Sequence, residues 1–156
     1  MHNGDADDKV LKAIEAAMVD IRRRQTRRAL ARSEPEADPA LFDVVDAVED
    51  GEARGAPVTV TDIAAALDVA QPRASKLVAA AVEAGLIRRE ADQKDGRRAL
   101  LALTVAGREL CERVHEVRRR RFAAATRNWS KIDRAAFAQL LTRFVDGLTE
   151  TEPERH

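Results

Sequence analysis

The chain has 156 residues, a length that fits one domain, and 45% of them are hydrophobic. Lys+Arg and Asp+Glu number 27 each, so the net charge is zero and a uniformly basic nucleic-acid protein is excluded. This composition also excludes a disordered chain. The absence of any run of 18 apolar residues excludes a membrane-spanning helix, and the one cysteine, Cys111, excludes an internal disulfide and a zinc site of the four-ligand Cys type.

Thirty alanines leave a thin set of larger apolar side chains, so a partner chain could help complete the core. The stretch Met1-His2-Asn3-Gly4-Asp5-Ala6-Asp7-Asp8 is polar and acidic, unlike a secretory signal, and the expected compartment is the cytoplasm.

Residues 8–32 read as a long helix, with Val10, Ile14, Ala17 and Ile21 in one apolar stripe. Its second half carries Arg22, Arg23, Arg24, Arg27, Arg28 and Arg32 without an acid, a run whose default reading is a solvated face. Ser33-Glu34-Pro35-Glu36-Ala37-Asp38-Pro39 breaks it. Asp38 then caps a second helix that starts at Pro39, buries Leu41, Val44, Val45 and Val48, and ends in a loop at Gly51 and Gly55. Val58-Thr59-Val60 is expected to be extended, and Thr61 to cap a short helix, Asp62–Leu67. A turn at Asp68-Val69-Ala70 leads into a helix over 71–84, with Pro72 in its first turn and Gly85 as its C-terminal cap.

Two helices joined by so short a turn are a helix-turn-helix. The period then switches: Ile87-Arg88-Arg89-Glu90 and Arg98-Ala99-Leu100-Leu101-Ala102-Leu103 read as strands, with Asp95-Gly96 as the hairpin turn. The fold class is therefore mainly α with a small β-hairpin wing, a winged helix-turn-helix over 39–103. Thr104 caps a long helix marked by Leu110, Val114 and Val117. Ser130-Lys131-Ile132-Asp133 opens a last helix whose stripe is Phe137, Leu140, Leu141, Phe144, Val145 and Leu148. Residues 150–156 read as a frayed tail.

A helix set in the major groove reads base edges with residues near its N-terminus. Here these are Gln71, Arg73, Ala74, Ser75 and Lys76, and Gln suits adenine while Arg suits guanine. The hairpin tip adds Lys94, Arg97 and Arg98 for phosphates or the minor groove.

Leu86-Ile87-Arg88-Arg89, Asp92-Gln93-Lys94-Asp95-Gly96-Arg97 and Leu103-Thr104-Val105-Ala106-Gly107 resemble the wing of the multiple-antibiotic-resistance-regulator (MarR) family. The pattern there is Asp-x-Arg-Asp-x-Arg followed by Leu-Thr-x-x-Gly. Thr61-Asp62-Ile63-Ala64, Leu67-Asp68-Val69, Lys76-Leu77-Val78 and Gly85-Leu86 match its reading head, and the resemblance extends over residues 8–148. Lys94 departs from it, a point charge in place of a planar fork. The resemblance implies a single domain over 1–156. In it, helices over 8–32 and 104–148 join a homodimer, with Val10, Ile14, Phe137, Leu141, Phe144 and Leu148 at the dimer faces. It also implies a transcription factor, often a repressor, on a pseudo-palindromic operator in double-stranded DNA. Many relatives are released by a small, often aromatic, organic effector. No membrane partner and no cofactor are implied.

Other features read as structural. Cys111 reads as a packed, inert thiol, and His115 with Glu112 or Glu116 reads as an exposed helical His in preference to a metal site. Arg118–Arg121 point all round a helix, and Trp129 is expected to plug the junction of the last two helices. There is no glycine-rich phosphate loop, Gly-x-Ser-x-Gly, His-Glu-x-x-His or paired-carboxylate motif, so no enzyme is expected. Two alternatives stay open: a winged helix used for protein assembly, and a redox- or metal-responsive regulator of the same fold.

Overall fold

The computed structural model describes residues 3–33 and 38–151, with side-chain environments for 6–21 and 38–150. The side chains of the Arg22–Arg32 run, the breaker residues 34–37 and the tail beyond 151 lie outside the described residues. The elements are α1 (Asn3–Ser33), α2 (Pro39–Ala53), α3 (Val60–Ala66), α4 (Gln71–Glu83), β1 (Ile87–Ala91), β2 (Ala99–Leu103), α5 (Val105–Ala125) and α6 (Lys131–Thr151). They fall into two compact units, one ending at Arg118 and one starting at Arg119. Among the described residues no helix is long and apolar enough to cross a membrane.

The first unit holds the winged helix. Asp38 caps α2 by accepting the Ala40 N–H at 2.9 Å, and Pro39 takes the first helical position, where its missing N–H costs nothing. Val44, Val45 and Val48 of α2 meet Ile63 of α3, Ala74, Val78 and Ala81 of α4, Ile87, Leu101 and Leu103 of the hairpin, and Cys111 of α5. These residues are buried, and each large one contributes about 1.5–3 kcal/mol by leaving water. A smaller cluster joins Phe42 to Leu110 and Val114, with the Arg118 guanidinium 5.8 Å above the Phe42 ring.

Local chemistry corrects four sequence expectations. The cap of α3 is Thr59, not Thr61. The Thr59 hydroxyl accepts the Asp62 N–H, and the Asp62 carboxylate accepts the Thr59 N–H at 2.7 Å, a reciprocal box that starts the helix at Val60. The expected strand at 58–60 therefore reduces to one ladder bond, from the Leu101 N–H to the Val58 carbonyl at 2.8 Å. Asp95-Gly96 is not a two-residue hairpin turn, because Gly96 lacks the positive φ that such a turn needs. Gly51, finally, lies inside α2, which runs on to Ala53.

Helices α3 and α4 end the same way. Beyond α4, the Leu86 N–H reaches the Ala81 carbonyl and the Gly85 N–H reaches Val82, with Gly85 at φ +73°. Beyond α3, the Val69 N–H reaches Ala64 and the Asp68 N–H reaches Ala65, with Asp68 itself at φ 52°. Asp is among the few side chains that tolerate this left-handed conformation, and it sets the short turn between the two helices.

β1 and β2 pair antiparallel, from Ile87 opposite Leu103 to Ala91 opposite Ala99. At their base sits the Leu103-Thr104-Val105-Ala106-Gly107 motif. The Thr104 N–H donates to the Leu86 carbonyl at 3.1 Å, and its hydroxyl donates to the Gly85 carbonyl at 2.6 Å while accepting the Gly107 N–H at 3.1 Å. A Cβ on Gly107 would lie 2.1 Å from the Leu86 carbonyl oxygen, so only glycine fits. Glu52 of α2 closes the same joint, accepting the Leu103 N–H at 2.9 Å and an Arg108 guanidinium at 2.7 Å.

In the second unit, Ser130 and Asp133 form the expected capping pair at the start of α6, with Ser130 Oγ accepting the Asp133 N–H at 3.0 Å. Trp129 packs edge-on against Phe137, 5.3 Å between ring centres.

The joint at Gly107 makes a stability prediction. Gly107→Ala should lower the unfolding free energy by about 1–3 kcal/mol, the usual cost of overpacking against atoms that cannot move aside. Gly96→Ala, which meets open space on the wing, should stay within about 0.5 kcal/mol. Urea unfolding of both variants checks this, and equal midpoints would show that the joint yields.

Candidate nucleic-acid interface

Helix α4 has two faces. Ala74, Val78 and Ala81 are fully buried, at the spacing of one helical stripe. At 100° per residue, Pro72 and Lys76 then point directly away from the core, with Arg73 and Ser75 on either side of them. Gln71, Arg73, Ser75 and Lys76 are all exposed, as the sequence led us to expect. Ala74 is not, and it leaves the candidate set: its methyl packs against the core and cannot meet a base. Ala70, at the N-cap, offers no side chain to the first-turn amides, so the positive end of α4 carries no side-chain cap.

The wing loop explains its own motif. The Asp92 carboxylate accepts the Lys94 N–H at 2.9 Å, and the Asp95 carboxylate accepts the Arg97 N–H at 3.1 Å. Each acid thus braces the backbone of the cation two residues on, the Asx-turn geometry. Two further bonds close the loop, from the Asp92 N–H to the Arg98 carbonyl at 3.0 Å and from the Arg98 N–H to the Asp95 carbonyl at 2.9 Å. Lys94, Arg97 and Arg98 are exposed on this braced frame. On β1, Arg88 is tied to Glu90 and to the Leu103 carbonyl, which takes it out of the mobile basic set.

An open cleft of about 440 Å³ lies between the start of α3 and the root of the wing, lined by Thr59, Val60, Thr61, Asp62, Arg98 and Ala99. The sequence reading missed it because it spent Thr61 on capping. The signal was present in the Thr59-x-x-Asp62 spacing, which fits the capping box better. With Thr59 as the cap, the Thr61 hydroxyl is left to accept from Gln71 Nε2 at 3.4 Å.

The residues expected at dimer faces have these positions. Val10 and Ile14 are exposed on α1, beside Leu11. On α6, Phe137, Leu141 and Leu148 are exposed and Phe144 is half-buried, with Leu140 and Val145 also open to water. Each of the two helices thus leaves large apolar side chains open to water.

His115 is not freely solvated: its Nε2 lies 2.8 Å from a Glu49 carboxylate oxygen on α2. Among the described residues no cluster of His, Cys, Asp and Glu could hold a metal ion. Cys111 is fully buried, and burial pushes its thiol up to about 12, helped by the neighbouring Glu49 carboxylate.

With this geometry in hand, a model of the MarR family matches residues 39–98, from the start of α2 through the wing loop. No curated protein matches the sequence. Solved structures share the fold. A MarR family protein from Bacillus stearothermophilus is 20% identical with a TM-score of 0.72, the match covering 96% of this chain and 99% of that one. Transcriptional regulator Tm0710 from Thermotoga maritima is 21% identical with a TM-score of 0.68, covering 89% and 95%. S. aureus MepR bound to ethidium bromide is 18% identical with a TM-score of 0.61, covering 85% and 95%.

The buried thiol yields a prediction. In the native protein Cys111 should resist alkylation at pH 8 and react at once when urea unfolds the chain. Between pH 9 and 12 the folded state holds a proton that the unfolded state has lost, so this thiol makes stability fall as pH rises through that window. Rapid native-state labelling would show that Cys111 is reached from solvent.

Proposed function

We propose that this chain, whose residues 39–98 match the MarR family model, is a homodimeric transcription regulator, a repressor that reads a pseudo-palindromic operator and is released from it by a small organic effector, often aromatic in proteins of that family. The observation that carries the reading is the pairing of an exposed, polar start of α4 with a wing whose cations are braced from within. In this reading α4 lies in the major groove, where Gln71 and Arg73 meet base edges and Ser75 and Lys76 hold the flanking backbone. Lys94, Arg97 and Arg98 reach phosphates or the adjacent minor groove.

The exposed faces of α1 and α6 supply the dimer contact, and a two-fold axis then sets two reading helices about one DNA turn apart. The working unit of this proposal is the whole chain, with the helices over 8–32 and 104–148 serving the dimer and 39–103 serving DNA. An effector acts by binding better to the dimer whose reading heads are wrongly spaced for DNA. The fold shared with MepR, seen with an aromatic ligand, supports that part. Repression and a cytoplasmic location complete the proposal, and neither a cofactor nor an enzymatic step enters it.

The test is a titration of the purified protein on its own upstream DNA at two salt concentrations, with molecular mass measured in parallel. Tight, competitor-resistant, salt-dependent binding by a dimer is expected. Weak binding of equal strength on all sequences would sink the reading and favour the protein-assembly alternative.

Two variants sharpen it. Arg73→Ala should cost about 1–3 kcal/mol on the operator and relax preference at one base pair per half-site, while Arg97→Ala should weaken all sequences alike and flatten the salt slope. Unchanged preference in Arg73→Ala would show that the wrong face of α4 has been assigned. Leu141→Glu should convert the dimer to monomer in sedimentation analysis, because a carboxylate in an apolar seam has no partner. A dimer of unchanged affinity would move the interface elsewhere.

A further inference from the structure

We infer that Thr61 is a specificity-determining positioning residue, which holds the Gln71 carboxamide in the pose that reads a base without touching the base itself. The inference rests on the DNA-reading role proposed above. Thr61 stands in the second helical position of α3, and Gln71 opens α4 ten residues on. Gln71 Nε2 donates to Thr61 Oγ1 at 3.4 Å, the bond that spans the helix-turn-helix between these two side chains.

The chemistry of the amide makes this bond informative. Glutamine carries two N–H donors and one carbonyl acceptor. A bidentate contact to adenine uses one donor and the acceptor. A bond from Nε2 to Thr61 needs one of its two hydrogens, so one donor and the carbonyl acceptor remain for adenine while the amide is tethered on one side. Without the tether, an exposed glutamine samples many rotamers and must be ordered at each binding event. A site held by supporting hydrogen bonds discriminates better than one left to find its own geometry.

Thr61 is available for this task because it has no structural one. The α3 cap and its reciprocal bond belong to Thr59 and Asp62. Thr61 is exposed and faces the open cleft at the wing root, where no apolar packing depends on its hydroxyl. Removing that hydroxyl should therefore leave folding intact.

The experiment uses the full-length protein and a duplex selected by the wild type from a random pool. Affinity is measured for that duplex and for every symmetric single-base-pair change in it, for wild type, Gln71→Ala, Thr61→Val and Thr61→Ser. Gln71→Ala should identify the base pair that Gln71 reads. At that pair alone, Thr61→Val should reduce discrimination about threefold to tenfold, with thermal midpoint and salt slope unchanged, and Thr61→Ser should restore it. Full discrimination at that pair in Thr61→Val would overturn the inference, as would a Gln71→Ala variant with wild-type preferences. A uniform loss across all duplexes with a shallower salt slope would overturn it in favour of Thr61 holding a phosphate. Wild-type protein that enriches no sequence from the pool would overturn the DNA-reading function, and this inference with it.

Discussion

The Leu86 carbonyl is the point on which the winged helix turns. It lies just past the glycine that ends α4, at the entry to β1, and it accepts from Thr104 at the entry to α5. The missing Cβ of Gly107 lets α5 come close enough for that bond. Glu52 adds the strand that leaves the wing and fixes it to α2. Helix α4, the wing and α5 thus share one small, polar, half-buried joint, while the apolar core around Ile63, Val78 and Ile87 supplies the bulk of the stability. A hydrophobic core alone would hold these elements together at many angles, because burial has no direction. Hydrogen bonds at the joint choose one angle.

The net charge of zero is reconciled with exposed cations on α4 and the wing by what the acids do. Asp62 is spent on the box at Thr59, Glu90 on Arg88, Glu52 on Arg108, and Asp92 and Asp95 on backbone amides of the wing. Acids near the cations therefore serve the backbone or a single partner, and the exposed cations of α4 and the wing are not cancelled by salt bridges among the described residues.

The sequence made the order of elements legible because each boundary carries a chemical mark. Asp38-Pro39, the Gly85 cap, Thr104 and Ser130-x-x-Asp133 all act within one helical turn, and short-range signals can be read without knowing the fold. The exposed start of α4 was equally legible, apart from Ala74. Alanine is ambiguous in a chain this rich in it, and the register that buries Ala74 is set by Val78 and by the helix across from it. The cleft at Thr61 was hidden for a different reason. Two threonines stood two residues apart before Asp62, and the reading took the nearer one although the Thr59-x-x-Asp62 spacing fits the box. The apolar faces of α1 and α6 were visible as periodicity, yet periodicity gives a face and never its occupant.

The buried stripe of α4 has a consequence for how such a protein changes over generations. Ala74, Val78 and Ala81 face the core, while Gln71, Arg73, Ser75 and Lys76 are exposed. The core side and the solvent side are written in separate letters on one helix. A duplicated copy can replace any of the four outward letters at little risk to its stability, so the chemistry of this face lies within reach of single substitutions. The Leu86 joint is not free to change in this way, and it should persist in copies whose outward face has diverged.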